Sequence, residues 1–473
     1  MTSKSLYIHT IGCQMNVYDS GQIAARLSTR GYEQVPSPEG ADLIIVNTCT
    51  IRAKAEQKAY SFLGRLARLK RKNTRLIIGI GGCVAQQDGQ KVLDRLPFID
   101  IVFGTQAIDR LPAMIQQVEL NRIQIIDVDP SAPSVSPDFV VGRNRQTAVS
   151  RFVTIMRGCD NYCSYCVVPY VRGHENSRKP DSIIEEIKSL VHSGIKEVTL
   201  LGQNVNSYGK KKGLCSFPEL LKRINEIDGL FRIRFTTSHP KDLDEDLMGC
   251  FSTLEKLCHH IHLPVQSGSD AVLKRMNRKY TKALYLDKVA KLRDTCSDIA
   301  ITSDIIVGFP GETDAEFEET LNLISTVQFD GIFAFQYSDR PNAASVDYPD
   351  KISEPQKKGR LQHLLAKQED ITKSNNKALV GSIQPILIDG PSKREMSDRP
   401  ENENLPVQWT GRTTTNKIVN FSDDHNGADG AMFSPGKLLD VRIEKAFFHS
   451  LQGRPAMLEI KAKDAKGANY YAA

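Results

Sequence analysis

Six times between residues 148 and 375 a short apolar run is followed by a stretch of helical spacing, and this rhythm limits what the chain can fold into more than any other feature. The runs are Phe152 to Met156, Glu197 to Leu201, Ile233 to Thr237, Ile261 to Val265, Ala300 to Val307 and Gly331 to Gln336. Strands joined through helices lie parallel, with both faces of their sheet covered. Six βα units predict a partial (β/α)6 barrel with its chemistry at the carboxyl ends of the strands. Polar residues collect at those ends: Cys159, Gln203-Asn204, Ser238-His239, Gln266-Ser267, Asp304 and Gln336. Loops are polar in general, which explains any one of these positions but less easily the whole set. In the first of the connecting helices, Asp181 is the expected N-cap.

The first 125 residues also alternate strands and helices. Leu6 to Ile11, Asp42 to Asn47 and Arg75 to Ile80 are apolar runs of the kind that buried parallel strands need. Each run ends at a cysteine: Cys13 in Gly12-Cys-Gln-Met-Asn16, Cys49 in Asn47-Thr-Cys-Thr50, and Cys83 in Gly81-Gly-Cys83. In an open parallel sheet the carboxyl ends of the strands share one edge, so three thiols distant in sequence converge in space. One such cysteine would mean nothing, because Cys is a common core residue. Three in succession predict a metal cluster.

A second triad is local. Cys159-Asp-Asn-Tyr-Cys163-Ser-Tyr-Cys166 has C-x3-C-x2-C spacing. A structural zinc closes with four ligands, and no second Cys pair or His pair lies nearby. Three thiolates on a four-iron cluster leave one iron open, and an open iron can bind a molecule directly.

The rest of the chain sets the context. With 473 residues, 25% of them charged and 40% hydrophobic, it has the composition of a soluble protein of two to four domains. The longest apolar runs fall short of the roughly 18 residues a membrane span needs, and Met1 to Lys4 leads straight into a strand-like segment. These features predict a cytoplasmic protein. Six of the ten cysteines fall in the two triads, while Cys215, Cys250, Cys258 and Cys296 are scattered singly, as reduced thiols are. The net charge of +6 is modest, but from Arg52 to Arg75 nine bases face the single acid Glu56, a net of +8. Such a run is either a solvated helix face or a surface that contacts phosphates. Residues 126–147 are Pro-rich and form a linker; residues 376–457 show short strands between Gly, Pro and Asn turns, the pattern of a small β-barrel. The expected strands there are Ser382 to Asp389, Pro406 to Gly411, Lys417 to Asn420 and Leu438 to Ala446, and Trp409 is either a stacking platform or core. That region has ten bases and ten acids, so its charge does not argue for a nucleic-acid partner. Residues 458–473 read as a polar tail.

The second triad, with Tyr165 before its last Cys, resembles the signature of radical S-adenosylmethionine (SAM) enzymes. Over nearly its whole length the chain resembles one group of them, the methylthiotransferases, and within that group the MiaB type, which acts on a tRNA adenosine beside the anticodon. The carrying motifs are Thr10 to Asn16, Asn47 to Arg52, Gly81-Gly-Cys83, Cys166 to Tyr170 with Arg172 to Arg178, Leu201 to Asn206, His262 to Gly268 and Asp304 to Glu312. Val167-Val168-Pro169 stands where the branch acting on a ribosomal protein has Ile-Pro, which favours tRNA. Two departures, Gly21 after Asp19-Ser20 and Arg340 to Ala344, touch loop geometry near the site.

The resemblance implies an α/β architecture of three domains: an N-terminal three-Cys domain (1–125), a radical SAM core (148–375) and a C-terminal TRAM barrel of the oligonucleotide-binding kind (376–457). It implies two 4Fe-4S clusters, one on Cys159, Cys163 and Cys166 that binds and cleaves SAM to a 5′-deoxyadenosyl radical, and an auxiliary one on Cys13, Cys49 and Cys83 that holds the sulfur to be inserted. Tyr165, Gln203, Ser238, Gln266 and Asp304 are the expected SAM contacts; Arg68, Lys70, Arg71 and Arg172 are the expected RNA contacts. The expected reaction puts a methylthio group on C2 of N6-isopentenyladenosine, spending SAM both as methyl donor and as radical source. Alternatives are the same chemistry on threonylcarbamoyl-adenosine in tRNA or on a ribosomal-protein aspartate, or a non-catalytic zinc protein that binds RNA. The expected partners are a tRNA anticodon stem-loop, an electron donor such as flavodoxin, and an iron-sulfur or sulfur delivery protein. The enzyme itself is expected to be a monomer.

Overall fold

The structure, a computed structural model, describes residues 3–50, 53–129, 148–211, 213–392, 407–422 and 433–456. Arg52, almost all of the expected linker and the expected tail lie outside the described residues.

The first domain is one parallel sheet. Its strands are β1 (Lys4–Thr10), β2 (Tyr32–Gln34), β3 (Leu43–Thr48), β4 (Ile77–Gly82), β5 (Ile101–Phe103) and β6 (Ile125–Asp127). They lie in the order β2-β1-β3-β4-β5-β6, with every pair parallel. The three expected strands are β1, β3 and β4; the other three have only three residues each, too few to show as apolar runs. Alternate residues feed two cores. Leu6, Leu43, Ile45 and Ile77 pack with Ile23 and Leu27 of the helix Gln14–Ser28. Ile44, Val46, Ile78 and Ile80 pack with Leu63 and Leu66 of the helix Ala53–Lys72. The chain reverses its direction of travel across the sheet between β1 and β3, the position where open α/β sheets bind ligands.

The central domain holds β7 (Ser150–Thr154), β8 (Met156–Arg157), β9 (Asn176–Ser177), β10 (Glu197–Leu201), β11 (Arg232–Thr236), β12 (His260–His262), β13 (Ala300–Val307) and β14 (Gly331–Gln336). Two parallel halves, β7-β10-β11 and β12-β13-β14, meet through a bridge between Ile233 and Leu257. Six parallel strands thus form the partial barrel that the apolar runs predict. Met156 does not end the first of them; it pairs through β8 with β9, and this short antiparallel pair brackets the loop that carries Cys159 to Cys166. Asp181 is not the cap of its helix. Pro180 takes the first helical position, which its fixed φ suits, and Lys179 precedes it.

Alternation along these strands sends Val198, Leu200, Ile233, Phe235, Ile261 and Ile305 into the core beneath the helices. The intervening residues of β10 and β11, Glu197, Arg232 and Arg234, are at most 6% exposed. Their partners come from the third domain, a closed barrel β15-β16-β17-β19-β18 made of β15 (Ile383–Pro391), β16 (Gln408–Thr413), β17 (Ile418–Ser422), β18 (Leu438–Ala446) and β19 (Leu451–Pro455). Gly453 and Pro455 hide β19 in the sequence. Gly453 is needed there because a Cβ would lie 2.2 Å from the Arg442 carbonyl oxygen. Trp409 packs against Phe433 at the barrel core, with ring centroids 6.1 Å apart. The helix Glu354–Ala378 runs through the expected boundary at 375 and delivers the chain to β15.

The barrel closes the amino-terminal end of the central sheet. Arg234 pairs with Glu197 at 3.0 Å and donates to the carbonyls of Thr414 at 2.9 Å and Thr413 at 2.6 Å. Arg232 donates to the carbonyls of Arg412 and Pro385. Truncating Arg234 to Ala leaves Glu197 buried without its counter-charge, a loss of about 3–5 kcal/mol. The single Trp of the chain sits in this barrel, so urea unfolding followed by Trp409 fluorescence should show an earlier transition in Arg234→Ala, partly restored by adding Glu197→Gln.

Candidate active site at the junction of two domains

Cys13, Cys49 and Cys83 lie at the carboxyl ends of β1, β3 and β4, and the structure brings them together. Cys13 directly precedes the helix Gln14–Ser28, whose amino-terminal end favours thiolate. Cys83 opens the helix Cys83–Asp88 after Gly82, which has φ 89° and passes so close to Thr48 that a Cβ would lie 2.3 Å from its carbonyl oxygen. Two buried asparagines tie the loops. Asn16 Nδ2 donates to Asn47 Oδ1 and to the Thr48 carbonyl, both at 2.9 Å, and Asn47 Nδ2 donates back to the Asn16 carbonyl at 2.9 Å. Cys13 Sγ donates to Asn16 Oδ1 at 3.1 Å. The hydrogen bond with Cys49 pulls the Cys13 thiol down to about 6, with Arg172 adding to it against burial. Burial pushes the Cys83 thiol up, although Arg172 opposes the shift.

The second triad is held by the segment around Met276. Ser164 donates its backbone N–H to the Met276 carbonyl at 3.1 Å, and Asn277 Nδ2 donates to the Tyr162 carbonyl at 2.8 Å. Asn161 Nδ2 reaches Cys159 Sγ at 3.4 Å. Arg278, 8% exposed, donates to Cys163 Sγ at 3.5 Å and to the Pro264 carbonyl at 2.7 Å. Burial, followed by the neighbouring Cys163, pushes Cys166 up to about 12, and burial also raises Cys159. Each triad is therefore a set of poorly solvated thiols facing one buried guanidinium.

The two triads are neighbours. Cys83 packs with Val167, the residue after Cys166, and with Val171. Around this contact Asp19, 1% exposed, receives Arg172 and Arg157 at 3.1 Å each. Thr105 Oγ1 donates to the Val171 carbonyl at 2.9 Å, and Gln203 Nε2 donates to the Met15 thioether. Arg340 comes from beyond β14 to the electrostatic neighbourhood of Glu56 and Cys49.

Two expected RNA contacts are corrected by these partners. Arg172 is 4% exposed and spends its charge on Asp19 and the thiols; burial works against that charge, but Cys83, Asp19 and Cys13 outweigh it and raise its pKa. Lys70 is held by Asp100 at 2.7 Å and by the Leu76 carbonyl. Arg68 and Arg71 remain exposed. Gly21 is not in a loop near the site; it lies on the exposed face of the helix Gln14–Ser28, with open space around it.

The residues fit the implied groups. Among the described residues, the one group of ligand atoms within 4.8 Å of each other is His259, Cys296 and Asp298. Tetrahedral zinc would hold all its thiolates about 3.8 Å apart; neither triad has all three thiols within 4.8 Å, although Cys13 and Cys49 are hydrogen-bonded to each other. Buried polar atoms without a protein partner concentrate at the carboxyl ends of β7, β10 and β11: Thr154 Oγ1, Gln203 Oε1, both amide atoms of Asn206, and Ser238 Oγ. Such atoms are satisfied by ordered water or a polar ligand, and SAM offers amine, carboxylate and ribose hydroxyls. Of the remaining expected contacts, Gln266 is 7% exposed with φ 73°, Tyr165 packs beside Phe309 and Tyr337, and Asp304 turns to His262 Nε2 at 3.5 Å.

Comparison with known proteins is consistent along the chain. Three profiles match in sequence: the uncharacterized protein family UPF0004 at residues 5–104, the Radical SAM superfamily at 153–324 and the TRAM domain at 377–456. A tRNA-2-methylthio-N(6)-dimethylallyladenosine synthase of Desulfosudis oleivorans is 52% identical, with 99% of this chain and 100% of the relative covered. Its counterpart from Geobacter metallireducens is 50% identical over 96% of this chain and 99% of the relative. The chain belongs to this synthase family. Among solved structures, a radical SAM methyltransferase of Kitasatospora setae, with cobalamin and a 4Fe-4S cluster bound, superposes with a TM-score of 0.52 at 13% identity, covering 81% of each chain. At that identity the likeness concerns the fold.

Sequence reasoning missed Arg172 and Arg278 as the cations facing the triads, and Thr154 and Asn206 among the unpartnered polar atoms. Asn206 closes the motif Leu201 to Asn206, but its burial does not show there. Arg172→Met should leave Asp19 with Arg157 alone and remove the cation beside the thiols. If both triads hold four-iron clusters, iron after anaerobic reconstitution should fall from about eight toward four per chain, and Arg172→Lys should recover part of it.

Proposed function

We propose that this chain places a methylthio group on C2 of N6-dimethylallyladenosine, also called N6-isopentenyladenosine, next to the anticodon of tRNA. The observation that carries the reading is the buried cluster that Cys83 forms with Val167 and Val171. It packs the helix that Cys83 opens against the segment that follows Cys166, so the two triads are neighbours across the domain junction. The naming of full-length relatives at about half identity supports the same substrate over threonylcarbamoyl-adenosine or a ribosomal protein.

Cys159, Cys163 and Cys166 would hold one cluster, Cys13, Cys49 and Cys83 the other. When bound, these groups and SAM supply one-electron cleavage of a sulfonium, a methyl group and the sulfur to be inserted. The protein's part is placement. Gln203, Asn206 and Ser238 bind and orient SAM through polar atoms that otherwise lack partners. Arg278 holds the Cys163 ligand, and Arg172 offsets the charge of the auxiliary ligands. The aromatic and aliphatic lining around Phe309 excludes water from the reacting centre. An adenine C2–H is not acidic enough for a side-chain base, so the reaction calls for a radical rather than for proton abstraction. The target base is presented unstacked, as a loop allows, with Arg68 and Arg71 among its phosphate contacts. An electron donor such as flavodoxin and a sulfur delivery protein complete the cycle in the cytoplasm. No helix among the described residues is long and apolar enough to cross a membrane.

The test is incubation of reconstituted protein with SAM, reductant and isopentenylated tRNA, followed by mass spectrometry of nucleosides. Wild-type protein should yield methylthiolated adenosine with both S-adenosylhomocysteine and 5′-deoxyadenosine. Cys13→Ala, Cys49→Ala or Cys83→Ala should abolish the methylthio product while SAM cleavage persists, and Cys163→Ala should stop cleavage. Normal product from a first-domain variant would refute the sulfur-carrier role.

A further inference from the structure

Beside the auxiliary triad, on the side of β1 that faces the helix Ala53–Lys72, lies an open pocket of about 610 Å³. His9, Ile11, Lys58, Ser61, Phe62 and Arg65 line it. The volume falls in the range of small-ligand pockets, about 300–1,000 Å³. Ile11 is two residues ahead of Cys13, so the pocket opens at the same edge of the sheet as the thiols. Inside it the His9 and Phe62 rings stack at 3.9 Å between centroids with 20° between planes, and the Arg65 guanidinium sits 5.4 Å from the Phe62 centroid. Burial and then Arg65 hold the His9 pKa down.

The helix carries a cationic stripe away from this pocket. Lys58, Arg65, Arg68 and Lys72 are all exposed and follow one another at seven, three and four residues, which puts them on one helix face. Lys70 is withdrawn from the stripe by Asp100, and the run's one acid, Glu56, has Asp88, Arg340 and Arg95 as its charged neighbours. A stack of flat rings flanked by cations and leading into a cationic track matches single-stranded nucleic acid in both its parts: bases stack on the rings and phosphates follow the charges.

We infer that this pocket seats an unpaired base of the substrate RNA on the Phe62–His9 stack, with the adjoining phosphates on Lys58, Arg65 and Arg68. The inference rests on the functional reading above and adds the place where the loop is gripped outside the reacting centre. An acidic protein would satisfy the charges but has no use for the stacked rings.

The test uses the reconstituted holoenzyme and a fluorescent isopentenylated anticodon stem-loop, with binding followed by anisotropy at several salt concentrations. Phe62→Leu keeps the apolar packing and removes the ring; affinity should fall about five- to hundredfold, as loss of one stacked base gives. An abasic replacement at the seated nucleotide should produce the same loss in the wild type and add nothing to Phe62→Leu. Lys58→Glu with Arg65→Glu should weaken binding and flatten the salt dependence by about 0.7 in log-log slope for each phosphate no longer held. SAM cleavage without RNA should be unchanged in all of these, which shows that they fold. Wild-type protein that binds and modifies the RNA, with variants of equal affinity and salt slope, overturns the pocket and leaves the function standing. Wild-type protein that ignores the RNA overturns both. Variants that bind RNA normally but lose reduction by flavodoxin, with dithionite restoring turnover, assign the surface to a protein and overturn the inference.

Discussion

Asp19 is the charge on which the arrangement of the site depends. It comes from the first domain, is almost fully buried, and receives two arginines of the central domain, Arg157 and Arg172. A buried carboxylate is tolerated only with its counter-charges in place, so the interface has one favourable register. That register puts Arg172 over the auxiliary thiols and Cys83 against Val167. Domain docking and site assembly are the same event.

The two triads solve a common problem with different means. Thiols taken out of water resist ionisation, as Cys83, Cys159 and Cys166 do. In the loop triad the three thiols are close in sequence, and the neighbouring segment from Arg275 to Arg278 braces the loop through its backbone carbonyls and Asn277. In the strand-end triad the thiols are far apart in sequence, and buried amides, Asn16 with Asn47, take the place of a local loop. A polar network that is fully satisfied holds a geometry that apolar contacts alone would leave loose.

Much of this was legible in the residues because it is local. Apolar runs marked β1, β3, β4 and the central strands, and cysteines at the ends of runs marked both triads. The three-residue strands β2, β5 and β6 carry no period, and β19 carries Gly453 and Pro455, so these elements were hidden. Lys70 and Arg172 looked like surface cations because a base shows its charge in sequence but not its partner; Asp100 and Asp19 lie 30 and 153 residues away. The Asp181 cap failed for a local reason, since Pro180 claims the first turn. The unpartnered atoms of Asn206 and Ser238 could be found only once burial was known.

The seal that Arg232 and Arg234 make with the third domain has a consequence for traffic. A vessel closed at its base is filled and emptied through its mouth. With the base held shut by Arg232, Arg234 and the barrel carbonyls, the carboxyl ends of the central strands are the end left for small molecules, and under the proposed function the RNA would have to share that end with them.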